Sequence, residues 1–138
     1  MTRKRKSPLE GRIVSNILLE IGKRPDVRIW RCNVAPVVNP RTGKIVGKGL
    51  PPGHPDIAGV LCISGIGISF FCEVKTDVGR ESDDQVSFGA MLLRFGSCYV
   101  VARSVDEAEK AIDDYRSKIL LRLGIDRTVL KRGQNDRS

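Results

Sequence analysis

The chain has 138 residues, 41% hydrophobic and 29% charged, enough to bury one core and too few to suggest two independent domains without a break in composition. No run approaches the roughly 18 to 20 apolar residues of a membrane span, and the opening MTRKRKSPLEGR lacks the apolar stretch of a secretion signal, so a cytoplasmic protein with no membrane association is expected. The net charge of +8 is uneven: residues 1 to 50 carry 12 basic and 3 acidic side chains, residues 51 to 100 carry 3 and 6, and the remainder carry 9 and 7.

A cationic surface is the footprint of a polyanion binder, and an acidic centre is what a divalent cation neutralises; a solvated surface with a basic tail would show the same counts. Three segments are expected: a disordered basic arm at 1 to 7, one domain at 8 to 123, and a loosely held basic tail at 124 to 138. In SPLEGRIVSNILLEIG, Ser7 reads as an N-cap, Pro8 as the first helical residue and Glu10 as the partner in a capping box. Apolar residues at 13, 14, 17, 18 and 21 form one helical stripe, which Gly22 ends. VRIWRCNV at 27 to 34 alternates as a strand.

Residues 35 to 55, rich in Gly and Pro, predict a long basic loop or irregular hairpin with a turn at NPRTGK. DIAGVLCI and GISFFCEVK then read as two adjacent strands joined at SGIG. A second helix follows, from the N-cap Ser82 to a stop at Gly96, and then the strand SCYVVAR. A third helix opens on a second Ser-x-x-Glu box, Ser104 and Glu107, and packs through Ala108, Ala111, Ile112, Tyr115 and Ile119. The order α-β-β-β-α-β-α predicts an α/β fold, a mixed β-sheet flanked by helices. Cys32, Cys62, Cys72 and Cys98 show no metal-binding spacing and are expected as reduced, buried thiols.

Charges inside two of these strands carry the chemistry. Successive strand residues point to opposite faces, so Phe71, Glu73 and Lys75 share one side and Phe70, Cys72 and Val74 the other. A hairpin folds Asp56, at the mouth of the preceding strand, back towards Glu73. Two carboxylates that close repel unless a cation lies between them. Few hard oxygen ligands suit Mg²⁺ or Mn²⁺, which activate water and polarise phosphoryl oxygens, with a lysine nearby to position water or stabilise phosphate charge. A salt-bridge cluster at a sheet edge would use the same residue types. At 100° per residue Glu10 falls near the centre of the first helix's stripe, where it can serve the cap or face the core.

GHPDIAGVL, then FFCEVKTDVGRESDDQ, then FGSCYVVARSVDEAEKAI resembles the VRR-NUC domain of the PD-(D/E)XK nuclease superfamily. The pattern is Pro-Asp, a strand, Glu-x-Lys, the segment T-x-x-G-R-x-S-x-x-Q, and a Gly-strand-helix ending, over roughly residues 8 to 115. The resemblance implies that Asp56 and Glu73 are catalytic metal ligands with the Val74 carbonyl and, from the first helix, Glu10. Lys75 becomes the catalytic lysine. Gln85 matches a glutamine beside the active site, while Ser82-x-x-Gln85 reads equally as a capping box. His54 stands where the family varies, and is read as a surface side chain.

The resemblance also implies a Mg²⁺- or Mn²⁺-dependent DNA endonuclease, homodimeric and selective for branched DNA such as four-way junctions, with no small-molecule cofactor. Arg28, Arg31, Arg41, Lys44 and Lys48 would then neutralise phosphates on either side of the metal. Trp30 either stacks a base or sits in the core. The alternatives are a non-catalytic DNA-binding module on the same fold and an exonuclease-like member of the superfamily.

Overall fold

The computed structural model describes residues 6–32, 36–47 and 49–125. In chain order it holds α1 (Pro8–Ile21), β1 (Val27–Arg31), β2 (Val37–Val38), β3 (Ile45–Gly47), β4 (Ile57–Ile63), β5 (Ile66–Val74), α2 (Asp83–Arg94), β6 (Cys98–Ala102) and α3 (Val105–Arg122). The stretch expected as a loop or irregular hairpin contains the small β2–β3 hairpin, closed by Gly43 at φ +67°.

Each helix begins where a side chain satisfies the orphan N–H groups of a first turn. At α1 the box is complete: Ser7 Oγ accepts from the Glu10 N–H at 3.2 Å, and Glu10 Oε2 accepts from the Ser7 N–H at 3.1 Å. At α3 only half of it forms. Ser104 Oγ accepts from the Glu107 N–H, but Glu107 Oε2 reaches one residue further back and accepts from the Arg103 N–H at 2.7 Å. None of the helices among the described residues is long and apolar enough to cross a membrane.

The main sheet runs β1-β4-β5-β6, with β1 to β5 antiparallel and β6 parallel to β5. Ser64 and Gly65 close the β4–β5 hairpin with φ of +52° and +77°, the paired left-handed residues of a tight type I′ turn. One face of the sheet is the core. Val27, Ile57, Leu61, Phe70, Cys72, Val74, Cys98 and Ala102 are buried there against Val14, Ile17 and Ile21 of α1 and Ala108, Ile112 and Leu120 of α3. Each large aliphatic or aromatic side chain fully buried in this way stabilises by about 1.5–3 kcal/mol.

The opposite face carries Ala58, Phe71, Glu73 and Tyr99, and α2 covers part of it. Gly89 of α2 lies so close that a Cβ there would stand 2.4 Å from the Tyr99 ring. Two side chains on this face are more exposed than a core reading allows. Trp30, paired with Ala58, is 54% exposed, which excludes the core one of its two readings. Cys62 is exposed because β4 alternation turns it, with Val60, to the same side. Burial pushes the thiols of Cys72 and Cys98 up, the latter to about 12. Lys6 and Ser7, expected within a disordered arm, have defined contacts, and Ile125 packs on the core where the loose tail was expected.

Candidate active site

The site lies where β4 begins and β5 ends. The loop entering β4 presses on the start of α2: Gly53 has φ +79°, and a Cβ there would meet the Asp84 carbonyl oxygen at 2.1 Å. His54 is not a surface side chain; it is half-buried, with its ring 5.7 Å from Phe71 and 5.4 Å from Phe88, joining loop, sheet and α2. These contacts deliver Asp56, which is held on both sides. Its carbonyl accepts from the Cys32 N–H at 2.8 Å, and its Oδ2 accepts from the Val74 N–H at 2.8 Å. The side chain thus stands in for a backbone acceptor at the end of the hairpin ladder.

Glu73, from the partner strand, is 1% exposed. Its Oε1 accepts from Gln85 Nε2 at 2.6 Å and from Lys6 Nζ at 2.9 Å, and Lys75 Nζ lies 3.6 Å away. Its Oε2 is buried without a hydrogen-bond partner among the described residues. Lys75 shares Glu73's side of the chain as strand alternation predicts, and its N–H donates to the Ala102 carbonyl at 3.0 Å, extending the sheet contact beyond β5. Burial, then the charge of Asp56, pushes the Glu73 carboxyl up to about 7, against the opposing pull of Lys6 and Lys75.

Gln85 resolves its two readings by using both ends of one amide. Oε1 accepts from the Ser82 N–H at 2.9 Å, completing the α2 capping box, while Nε2 donates to Glu73. The loop between β5 and α2 is clamped by groups that the sequence reading did not single out. Arg103 donates to the carbonyls of Thr76 and Gly79, and the Tyr99 hydroxyl donates to Glu81 Oε1 at 2.9 Å. No spacing signal marks these pairs, which join elements distant along the chain.

Glu10 does not join Asp56 and Glu73. The helical period places it on the expected side, but its carboxylate is turned into the α1 cap, and the described residues contain no group of three His, Cys, Asp or Glu side chains able to hold a metal ion. Instead Lys6, also missed, reaches the cluster. Its Nζ lies 2.6 Å from Asp56 Oδ2, 2.9 Å from Glu73 Oε1 and 2.6 Å from the Val74 carbonyl. Burial lowers the basicity of this ammonium, and the two carboxylates more than restore it. A sequence reading sees only one more residue of a basic run.

These oxygens form a cation cradle. Two carboxylates and a backbone carbonyl surround one point, and a further carboxylate oxygen is buried beside it with no hydrogen-bond partner among the described residues, a donor set that fits a hard divalent ion keeping several waters. Of the expected phosphate contacts, Arg28 is exposed on the face of Trp30, though its guanidinium also donates to the Arg24 and Val27 carbonyls. Arg31 is exposed on the opposite face by alternation, Arg41 and Lys44 are exposed beside the β2–β3 turn, and Lys48 lies outside the described residues.

No protein-family model matches the sequence, and no curated protein matches it. A solved structure described as a VRR_NUC domain protein is 18% identical to this chain, covering 80% of this chain and 90% of its own with a TM-score of 0.52. The likeness is one of fold: the chain has the mixed-sheet α/β architecture of a VRR_NUC domain protein.

Proposed function

We propose that the chain is a divalent-metal-dependent DNA endonuclease, acting as a homodimer on branched DNA such as four-way junctions. The observation that carries this reading is the meeting of Asp56 Oδ2, Glu73 Oε1 and the Val74 carbonyl around one point, with the Lys75 amine 3.6 Å from Glu73. Those three oxygens would hold Mg²⁺ or Mn²⁺. The ion, when bound, supplies Lewis-acid polarisation of the phosphate and a bound water of lowered pKa.

The protein's own groups do the rest. Lys75 orients the attacking water or neutralises charge on the phosphate, and Gln85 fixes the rotamer of Glu73 through its amide. Glu10 adds a third carboxylate if it gives up the α1 cap. Arg28, Arg41, Lys44 and Lys48 hold the phosphate backbone without reading bases, Arg31 reaches phosphates only from the other face of β1, and exposed Trp30 offers a stacking surface on the face that carries Glu73. A twofold dimer would present two such centres to the two strands of a symmetric junction.

One observation favours a rival, a DNA-binding module that keeps the fold without cutting: the cradle is already occupied by the Lys6 ammonium, and Glu10 is turned to the cap. The two readings separate on linear duplex, single-stranded, flapped and four-way-junction DNA incubated with Mg²⁺, Mn²⁺ or EDTA, alongside the Asp56→Ala protein. The nuclease reading expects internal cuts in branched DNA that EDTA and Asp56→Ala both abolish while binding persists. Equal cutting by Asp56→Ala would remove the site assignment, and binding with no cutting by the unaltered protein would establish the rival.

A further inference from the structure

Lys6 stands in the cradle as a cation built into the chain. Its Nζ contacts the same three oxygens that would ligate a divalent ion, at 2.6, 2.9 and 2.6 Å. Its side chain is 16% exposed, against 8% for Asp56 and 1% for Glu73, so the ammonium is largely buried but lies on the solvent side of the two carboxylates, where an entering ion would meet it. The backbone behind it is anchored, because the next residue, Ser7, is locked to Glu10 by both hydrogen bonds of the α1 capping box.

An ammonium and a hard divalent ion cannot share these oxygens. The nitrogen sits at hydrogen-bond distance from all three, and a metal would need the same space at about 2.0–2.2 Å. The buried Oε2 of Glu73 is the feature that a single ammonium leaves unsatisfied and a larger charge with its water shell would engage.

We propose that Lys6 is an internal competitor for the divalent cation: it offsets part of the charge of Asp56 and Glu73 while metal is absent, and metal entry expels it from the cradle. This deepens the nuclease reading and rests on it for the identity of the entering ion. An ammonium that fills the cradle nine-tenths of the time weakens apparent metal affinity about tenfold, since only the open fraction can bind. Expulsion also frees one positive charge beside the cutting centre, where a phosphate would lie.

Calorimetric titration of Mn²⁺ into the 138-residue chain and its Lys6→Met variant tests the competition without any cleavage assay. Lys6→Met keeps the apolar stem and removes the charge, and is expected to tighten Mn²⁺ binding about tenfold or more. A thermal melt reports whether that variant folds. A second measurement needs no substitution: in ¹⁵N-lysine-labelled protein the Lys6 ammonium should give a protected side-chain resonance without metal, which exchanges with water on saturation with Mg²⁺. Asp56→Ala separates the layers of the argument. Binding that requires Asp56 but is equally strong with and without Lys6, or a Lys6 resonance unmoved by bound Mg²⁺, overturns the competition and leaves the metal site standing. If neither the unaltered protein nor Lys6→Met binds Mn²⁺ or Mg²⁺, the metal reading falls and the competition falls with it.

Discussion

Gln85 performs two tasks with one side chain, and they can be separated. Removing Ser82 Oγ costs the α2 N-terminus its cap but leaves Gln85 Nε2 on Glu73, so Ser82→Ala should lower stability by about 1 kcal/mol and spare the site. Gln85→Ala removes the other arm of the box and also strips a buried carboxylate of a donor, so it should cost about 1–3 kcal/mol and, on the proposed nuclease function, reduce cleavage or metal affinity about ten- to a hundredfold. Urea midpoints and cleavage rates on both variants check this, and equal catalytic loss in the two would reduce Gln85 to a capping residue. Residues of this kind mark the limit of what was legible in the sequence. Strand alternation correctly put Glu73 and Lys75 on one side because a two-residue period admits no other answer over so short a distance. Helical period placed Glu10 but could not direct it: a flexible side chain has a choice of partners, and the nearer one, the Ser7 N–H, took it. Trp30 stayed undecided between core and surface because a sheet face is core only where another element covers it, and the strand pattern does not reveal whether α2 reaches that far.

At the scale of elements, the relation of α2 to the sheet decides whether the site is assembled, because α2 brings Gln85 to Glu73. The contact has no slack at Gly89, where a Cβ would stand 2.4, 2.6 and 2.8 Å from Tyr99 Cε1, Cζ and the hydroxyl oxygen. Carbon atoms need roughly 3.5–4 Å. Gly89→Ala gains about 0.8–1 kcal/mol of helix propensity and incurs about 1–3 kcal/mol of overpacking. A net loss is therefore expected, with Tyr99 pushed off Glu81. In a Tyr99→Leu background the steric cost disappears and the propensity gain remains, so the same substitution should become neutral or stabilising. A double-mutant cycle on unfolding free energies reads this directly; a loss undiminished in that background would place the strain elsewhere. The helices themselves were legible because each opens on a cap whose chemistry is local, and the β4–β5 hairpin because Ser64-Gly65 can adopt its turn. The short β2–β3 hairpin was only half legible: Gly and Pro announce a turn, but exposed Val37, Val38, Ile45 and Val46 leave no buried face to define strand limits.

Across the whole molecule, opposite charges do more than balance a surface; they tie chain segments that lie far apart in sequence. Asp26, between α1 and β1, accepts from Arg24 at 3.0 and 3.1 Å and from Arg116 of α3 at 2.8 Å. Arg24 also donates to Asp113 of α3 at 2.8 Å, and Arg116 to the Cys62 carbonyl of β4 at 2.9 Å. One carboxylate thus links the end of α1, the sheet and α3. Burial alone would raise the Asp26 pKa, but the Arg24 hydrogen bonds and the charges of Arg24 and Arg116 outweigh it, and the net shift is downward from 3.8. A carboxylate with a depressed folded-state pKa binds fewer protons folded than unfolded near its ordinary value, so its contribution is fully present above about pH 4 and is lost as pH falls through the lower, folded value. With the side chain 22% exposed, screening limits that contribution to the order of 1 kcal/mol. Asp26→Asn should therefore lower unfolding free energy by about that amount at pH 6 to 7. The gap to the unaltered protein should narrow as pH falls below 4 and through the lower folded-state value, beneath which both forms carry a neutral side chain at this position. Urea titrations at pH 7, 4, 3 and 2 on the two proteins measure it, and a gap that stays constant across that range would show that Asp26 acts through its shape and hydrogen bonds rather than its charge.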